Sequence, residues 1–167
     1  MQKYIGTKII LATAMNLRAY NEKRGWPMPP DENPAAEGYL VEYTDGGKPN
    51  HPDHQGYISW SPKEQFEAAY RSSPGLTFGH AIEALKRGCR VCRAGWNGKG
   101  MYLWLLPAAT VKAEWCREEH LKAVAEANGG EIEALGSIRM MTADKKVLTG
   151  WLASQTDILG EDWVILD

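Results

Sequence analysis

Hydrophobic and polar positions along the chain divide it into two runs of short elements. In the first run, Ile5, Ile9 and Leu11 fall on one side of a predicted strand over 4–13. Asn16 suits the N-cap of a short helix over 17–23, which Gly25 ends. A proline-rich loop, Trp26-Pro27-Met28-Pro29-Pro30, follows. Strands are predicted over 38–43 and 57–60, with Asp45-Gly46-Gly47 as a turn. Ser61-Pro62-Lys63-Glu64 reads as a helix start, with Ser capping, Pro in the first turn and Glu64 closing a capping box. That helix is expected to reach about Tyr70.

In the second run, Phe78, Ile82 and Leu85 recur at helical spacing beside Ala81, predicting a helix over 78–87 with Thr77 as cap and Gly88 as stop. Strands are predicted over 89–93 and 101–106, separated by a glycine-rich loop over 94–100. A helix over 118–127 ends at Asn128-Gly129-Gly130. A hairpin over 137–142 and 146–153 turns at Ala143-Asp144-Lys145, and a last strand covers 163–166. One helix followed by mostly antiparallel strands predicts an α+β class: an antiparallel sheet with an N-terminal packing helix, preceded by a small α+β module. Arg71-Ser72-Ser73-Pro74-Gly75 is the expected boundary, giving domains over 1–71 and 76–167.

Composition narrows the function classes. Among 167 residues, 19 Lys+Arg stand against 21 Asp+Glu, a formal charge of −2. Such a chain does not bind nucleic acid through bulk charge; only a local patch would do so, and nucleic acid is not the expected partner. The longest apolar stretches, 101–111 and 147–153, fall far short of the roughly 18 residues that cross a bilayer. Lys3 and Lys8 interrupt the place where a signal peptide needs an apolar core, so no targeting segment and no membrane partner are expected. Cys89, Cys92 and Cys116 form no even-numbered disulfide framework; Cys89 and Cys92 read as buried, reduced thiols. Seven Trp and seven Tyr against two Phe place the aromatic content in side chains with polar handles, which suit a binding surface as well as a core.

Several constellations could carry chemistry. His51, Asp53 and His54 would supply zinc-type ligands, although their proline-bearing loop lacks a rigid element to aim them, and loop bracing is the favoured reading. No nucleophile elbow, phosphate loop or zinc-protease helix is present. His80 and His120 fall on predicted helices without a nucleophile partner. Glu161 and Asp162 read as solvated carboxylates. Arg93-Ala94-Gly95-Trp96-Asn97-Gly98-Lys99 combines a ring that can stack on a base, an amide, glycines that let backbone N–H groups approach a phosphate, and cations to neutralise it; a tight turn with a core Trp fits the residues equally well. Trp151-Leu152-Ala153-Ser154-Gln155-Thr156-Asp157 places four hydrogen-bonding side chains after a strand, as a site at a strand tip or as a helix cap.

Taken with Thr77-Phe78-Gly79, Ala81-Ile82, Ala84-Leu85-Lys86, Met101-Tyr102-Leu103, Met141-Thr142-Ala143-Asp144 and Glu161-Asp162-Trp163, these segments resemble the phage anti-Thoeris signal-sponge family, the second of the named Thoeris anti-defence families. The resemblance covers 76–167 and is weakest over 108–136. The N-terminal half resembles a small phage module with no assigned function. The family resemblance implies a protein that is not an enzyme and needs no cofactor. It implies a homotetramer in the host bacterial cytoplasm that sequesters a cyclic ADP-ribose-type signal, glycocyclic ADP-ribose, and in some members also cyclic oligonucleotides. Carried onto this chain, it implies a ligand site of Arg93, Trp96, Asn97, Gly98, Lys99, Trp151, Ser154, Gln155, Thr156 and Asp157: Trp96 on the base, Asn97 on base or ribose, Arg93 or Lys99 on the diphosphate, and 154–157 on the ribose hydroxyls. The competing readings are a metal-dependent enzyme that degrades such a signal through His51, Asp53 and His54, and a phage structural or protein-interaction module.

Overall fold

A computed structural model describes residues 1–3, 6–96 and 100–166. The chain forms two compact units, Met1–Arg71 and Ser72–Asp167.

The first unit is a three-stranded antiparallel sheet in the order β1-β2-β3, with β1 at Leu11–Ala14, β2 at Gly38–Tyr43 and β3 at Tyr57–Pro62. Helix α1 (Leu17–Arg24) starts where the Asn16 side chain accepts from Ala19 N, and stops where Gly25 takes a left-handed φ of 66° that a side chain would oppose. It contributes Tyr20 to a core with Leu40 and Ile58. Helix α2 (Lys63–Ala69) meets β2 and β3 through Phe66, whose ring stacks on Tyr39 at 4.1 Å. Two expectations are corrected. The first strand is shorter than predicted, and all four of its residues are exposed; Ile9 lies outside it, and Tyr4 and Ile5 lie outside the described residues. Ser61 does not cap α2, because the ladder carries it on as a strand residue opposite Tyr39, leaving Pro62 at the cap position without a side-chain bond.

The second unit is built on a five-stranded antiparallel sheet in the order β10-β4-β5-β8-β9. Its strands are β4 (Val91–Arg93), β5 (Tyr102–Leu106), β8 (Ser137–Met141), β9 (Val147–Thr149) and β10 (Trp163–Ile165). Helix α3 (Phe78–Lys86) packs on β10, β4 and β5. The helical spacing read from the sequence is the packing face: Ala81, Ala84 and Leu85 are buried with Val91, Leu103, Met140 and Trp163. The cap of α3 is a reciprocal pair, in which the Thr77 N–H donates to His80 Nδ1 at 3.3 Å and Thr77 Oγ1 lies 2.7 Å from the same nitrogen. The fold is therefore α+β with antiparallel sheets.

Between β5 and β8 the chain makes a separate ribbon of β6 (Ala109–Lys112) and β7 (Glu131–Ala134), which carries helix α4 (Glu119–Ala127). This ribbon was not predicted: its strands, ATVK and EIEA, are four residues each and mostly exposed, with Val111 and Ile132 the large apolar side chains among them. The second hairpin strand, predicted over 146–153, is shorter, with β9 at Val147–Thr149, and helix α5 (Gln155–Ile158) follows it, capped by Ser154. Cys89 and Cys92 are free but only half-buried, which corrects the expectation of buried thiols.

Candidate functional site

The sheet order sets β10 beside β4, so Trp163 lies opposite Arg93. This register brings together two segments far apart in sequence. Arg93 Nε donates to Asp162 Oδ1 at 2.7 Å, and Arg93 Nη1 donates to the Thr156 carbonyl at 2.9 Å and to Asp157 Oδ1 at 3.1 Å. The second oxygen of Asp162 accepts the Gly95 N–H at 3.0 Å. Asp157 Oδ2 in turn accepts from Ser154 Oγ at 2.6 Å and from Ser154 N at 3.0 Å, closing the cap of α5. One guanidinium thus ties the end of β4 to the start of α5 and to the entry of β10.

Glycine permits this approach. A Cβ on Gly160 would lie 2.8 Å from Arg93 Nη2, and one on Gly95 would lie 3.1 Å from Asp162 Oδ2. The guanidinium rests directly on the Gly160 backbone. That gives a physical reason for Gly95 two residues after Arg93 and for Gly160 two residues before Asp162.

The electrostatics follow the geometry. The Arg93 hydrogen bond holds the Asp162 carboxyl below its ordinary range, against a smaller opposing effect of burial. Burial pushes the Asp157 carboxyl up, but the bonds from Ser154 and Arg93 together outweigh it and leave the group lowered. The two carboxylates raise the Arg93 pKa further, Asp162 contributing most. These are charge-assisted bonds among partly buried groups, stronger than neutral ones.

Beside this clasp stands an aromatic cluster. Trp163 is fully buried, and its Nε1 donates to the Asp157 carbonyl at 3.0 Å. Trp96 meets Trp163 at 5.6 Å and Trp151 at 6.1 Å, both edge-on, while Phe78 lies 5.5 Å from Trp163. Trp96 and Trp151 are half-buried and pack against the core. Leu152, Ile158 and Leu159 stand exposed alongside in sequence.

The structure brings Arg93, Trp96, Trp151, Ser154, Thr156 and Asp157 into one neighbourhood, but not in the roles expected of all of them. The Arg93 guanidinium is engaged by Asp162, Asp157 and the Thr156 carbonyl. The Ser154, Thr156 and Asp157 side chains hydrogen-bond to one another around the α5 cap, with Ser154 Oγ 2.8 Å from Thr156 Oγ1. Gln155 is exposed in the first turn of α5. Asn97, Gly98 and Lys99 lie outside the described residues. Sequence reading missed Asp162, Phe78, Gly160 and Trp163 as parts of this neighbourhood. Asp162 was read as solvated, and its hydrogen bonds to Arg93 and Gly95 overturn that. No local signal marked them, because their placement depends on the last strand pairing with the strand that ends at Arg93.

The His51–His54 loop is braced rather than open. His51 Nε2 lies 3.0 Å from the Lys23 carbonyl at the end of α1, and His51 Nδ1 accepts the Asp53 N–H at 3.2 Å. His54 Nδ1 lies 2.8 Å from Glu42 Oε2, and the other Glu42 oxygen accepts the Gln55 and Gly56 N–H groups. Among the described residues no group of three or more His, Cys, Asp or Glu is arranged to hold a metal ion. A metal on His51 would have to displace one of its two ring contacts. Among the same residues, no helix is long and apolar enough to cross a membrane.

An antiparallel sheet with one packing helix, and an Arg–carboxylate clasp beside a partly accessible tryptophan cluster, define a small α+β domain with a built, half-open aromatic site. Residues 76–166 match the family model of the Thoeris anti-defense 2-like domain, and the chain belongs to that family. It is 38% identical over 91 residues to Thoeris anti-defense 2 of Bacillus phage SP01, across 54% of this chain and 94% of that relative. The matched region is the second structural unit without its first few residues.

Proposed function

We propose that this chain counters Thoeris defence by binding and sequestering a cyclic ADP-ribose-type signal, glycocyclic ADP-ribose, without degrading it. The observation that carries the reading is the half-buried pair Trp96 and Trp151, set edge-on at 6.1 Å beside the Arg93 clasp, in the unit that matches the anti-defence family. Their accessible faces suit an adenine, and the adjoining glycine-bearing loop, with Lys99, suits a diphosphate. Arg93 acts by holding the loop and the α5 cap in place, while Asn97, Gly98 and Lys99 contact the ligand. Gln155 is exposed and stands outside the hydrogen bonds that join Ser154, Thr156 and Asp157, which suits it to ribose hydroxyls.

Binding without turnover is supported by how the hydroxyls and imidazoles near the site are used. Ser154 Oγ is bonded to Asp157 within a helix cap, and His80 is bonded to Thr77 within another. A ligand of roughly 35 non-hydrogen atoms at about −0.3 kcal/mol per atom reaches about −10 kcal/mol, or tens of nanomolar, enough for a stoichiometric sponge. The exposed Leu152, Ile158 and Leu159 support an apolar interface; the assembly we propose is a homotetramer with pockets completed between subunits, acting in the host cytoplasm. Incubation with the cyclic nucleotide, denaturation and recovery of the small molecule test the reading. Intact recovery supports it; a cleaved product, or failure to retain any cyclic ADP-ribose isomer, contradicts it.

A further inference from the structure

Three strands of the second unit meet at one end of the five-stranded sheet. Strand β4 finishes at Arg93, β5 begins at Tyr102 and β8 finishes at Met141. These strands are antiparallel neighbours, so the glycine-bearing loop after Arg93 and the β8–β9 turn over 142–146 lie at the same end as the Arg93 clasp.

The turn is closed by its own groups. Lys146 N donates to Thr142 Oγ1 at 3.0 Å, Thr142 Oγ1 donates to Asp144 Oδ1 at 2.6 Å, and Lys145 N donates to the Thr142 carbonyl at 3.0 Å. Lys145 has a φ of 62° and is the one non-glycine residue in left-handed backbone among the described residues. Glycine or asparagine meets that conformation at lower cost, so a long cationic side chain kept there points to a use for it.

The Lys145 side chain crosses from the turn to the loop. Its Nζ lies 2.7 Å from the position that a Cβ on Gly100 would take, and Gly100 itself has a left-handed φ of 67°. The ammonium of this exposed residue therefore rests on bare backbone at the end of the loop over 94–100. Two carboxylates at this end are bonded to other groups: Asp144 to Lys146 at 2.8 Å and to Thr142, and Asp162 to Arg93 and Gly95. Lys145 already interacts within the structure, and the three donors of one ammonium let it keep that contact while meeting an anion from solvent.

We propose that Lys145 binds the diphosphate of the sequestered nucleotide, as a cation that the neighbouring hairpin delivers to the glycine-bearing loop. This rests on the sequestration reading and adds a residue to its site. Arg93 is engaged by Asp162 and Asp157, so a dianion at this loop needs charge from elsewhere. A glycine backbone lets phosphate oxygens approach N–H groups closely, and an ammonium beside it neutralises them. Gly100 thereby gains a second role besides its turn, since a side chain there would push the ammonium aside.

Isothermal titration of the full chain with glycocyclic ADP-ribose and, separately, with inorganic pyrophosphate tests this. Lys145→Gln should weaken both by about tenfold or more, the loss expected for one charge-assisted contact, and Lys145→Arg should keep most of the affinity. Both variants should melt at the wild-type temperature, because Thr142 and Asp144 close the turn. Unchanged affinity of Lys145→Gln for both probes overturns the proposal and leaves sequestration standing. Weakened nucleotide binding with unchanged pyrophosphate binding also overturns it, because Lys145 then only braces the loop. A wild type that holds pyrophosphate through Lys145 but no cyclic nucleotide contradicts sequestration and keeps the anion site. Binding of neither probe, with pyrophosphate raised to about 10 mM, overturns both.

Discussion

Arg93 Nε and Asp162 Oδ1 meet at 2.7 Å across 69 residues of sequence, and that bond fixes the geometry beside the tryptophan cluster. Asp162→Asn should lower the stability of the second unit by about 1–2 kcal/mol, less than a fully buried charged bond is worth because Asp162 keeps 31% of its side chain exposed. Gly160→Ala should also destabilise it, by pushing the guanidinium off the backbone on which it rests. Thermal unfolding of the two variants checks this, and wild-type melting in both would show that the clasp holds nothing.

Acid should loosen the same region. Asp157 and Asp162 are both lowered from an ordinary value of 3.8, so the unfolded chain takes up protons before the folded one. Their contribution to stability is complete above the ordinary aspartate range and is lost as pH falls through the depressed folded values. Unfolding followed from pH 6 to pH 2 should show stability falling below about pH 4, with a shallower fall in Asp162→Asn. An equal acid response in the two proteins would contradict the assignment.

The three clustered tryptophans should separate by function. Trp163 is fully buried, and Trp163→Ala should cost about 3–5 kcal/mol and threaten folding. Trp96→Ala and Trp151→Ala remove half-buried rings and should leave a folded protein that no longer retains the cyclic nucleotide. Circular dichroism together with ligand retention checks both halves. Retention by the folded Trp96 variant would remove that ring from the site.

Much of this arrangement was legible in the sequence, for identifiable reasons. Helix α3 was readable because Phe78, Ile82 and Leu85 share a face that truly is buried or half-buried. Arg93, Trp96, Trp151 and Asp157, which come from two polar segments that each follow a strand, lie near one another: Arg93 bonds Asp157, and the Trp96 and Trp151 rings meet. Their division of labour was not legible. Arg93 carries no local mark that it faces Asp162 rather than a phosphate, because that depends on β10 pairing with β4, a contact between distant segments. The β6–β7 ribbon was invisible for a related reason: its four-residue strands are mostly exposed, and the Val111–Ile132 pairing that joins them links segments about 20 residues apart. Ser61 shows local capping preference losing to strand pairing.

In the first unit, Glu42 should prove more important than the histidines beside it. It accepts two backbone N–H groups and holds His54, and its carboxyl is lowered chiefly by the His54 bond. Glu42→Ala should destabilise the loop over 51–56 and speed its amide hydrogen exchange. Excess zinc or a chelator should leave the melting profile unchanged, because His51 Nε2 is engaged by the Lys23 carbonyl of α1 and Nδ1 by the Asp53 N–H. A zinc-dependent rise in melting temperature would instead revive the metal reading.

The central claim is sequestration by the second unit. Equimolar protein and glycocyclic ADP-ribose should be mixed, passed through a size filter, and the retained fraction denatured and analysed by mass spectrometry. The account predicts that wild-type protein retains the nucleotide and releases it chemically intact, and that Trp96→Ala lets it pass. Free nucleotide in the filtrate of the wild type, or recovery of a hydrolysed product, would contradict the account.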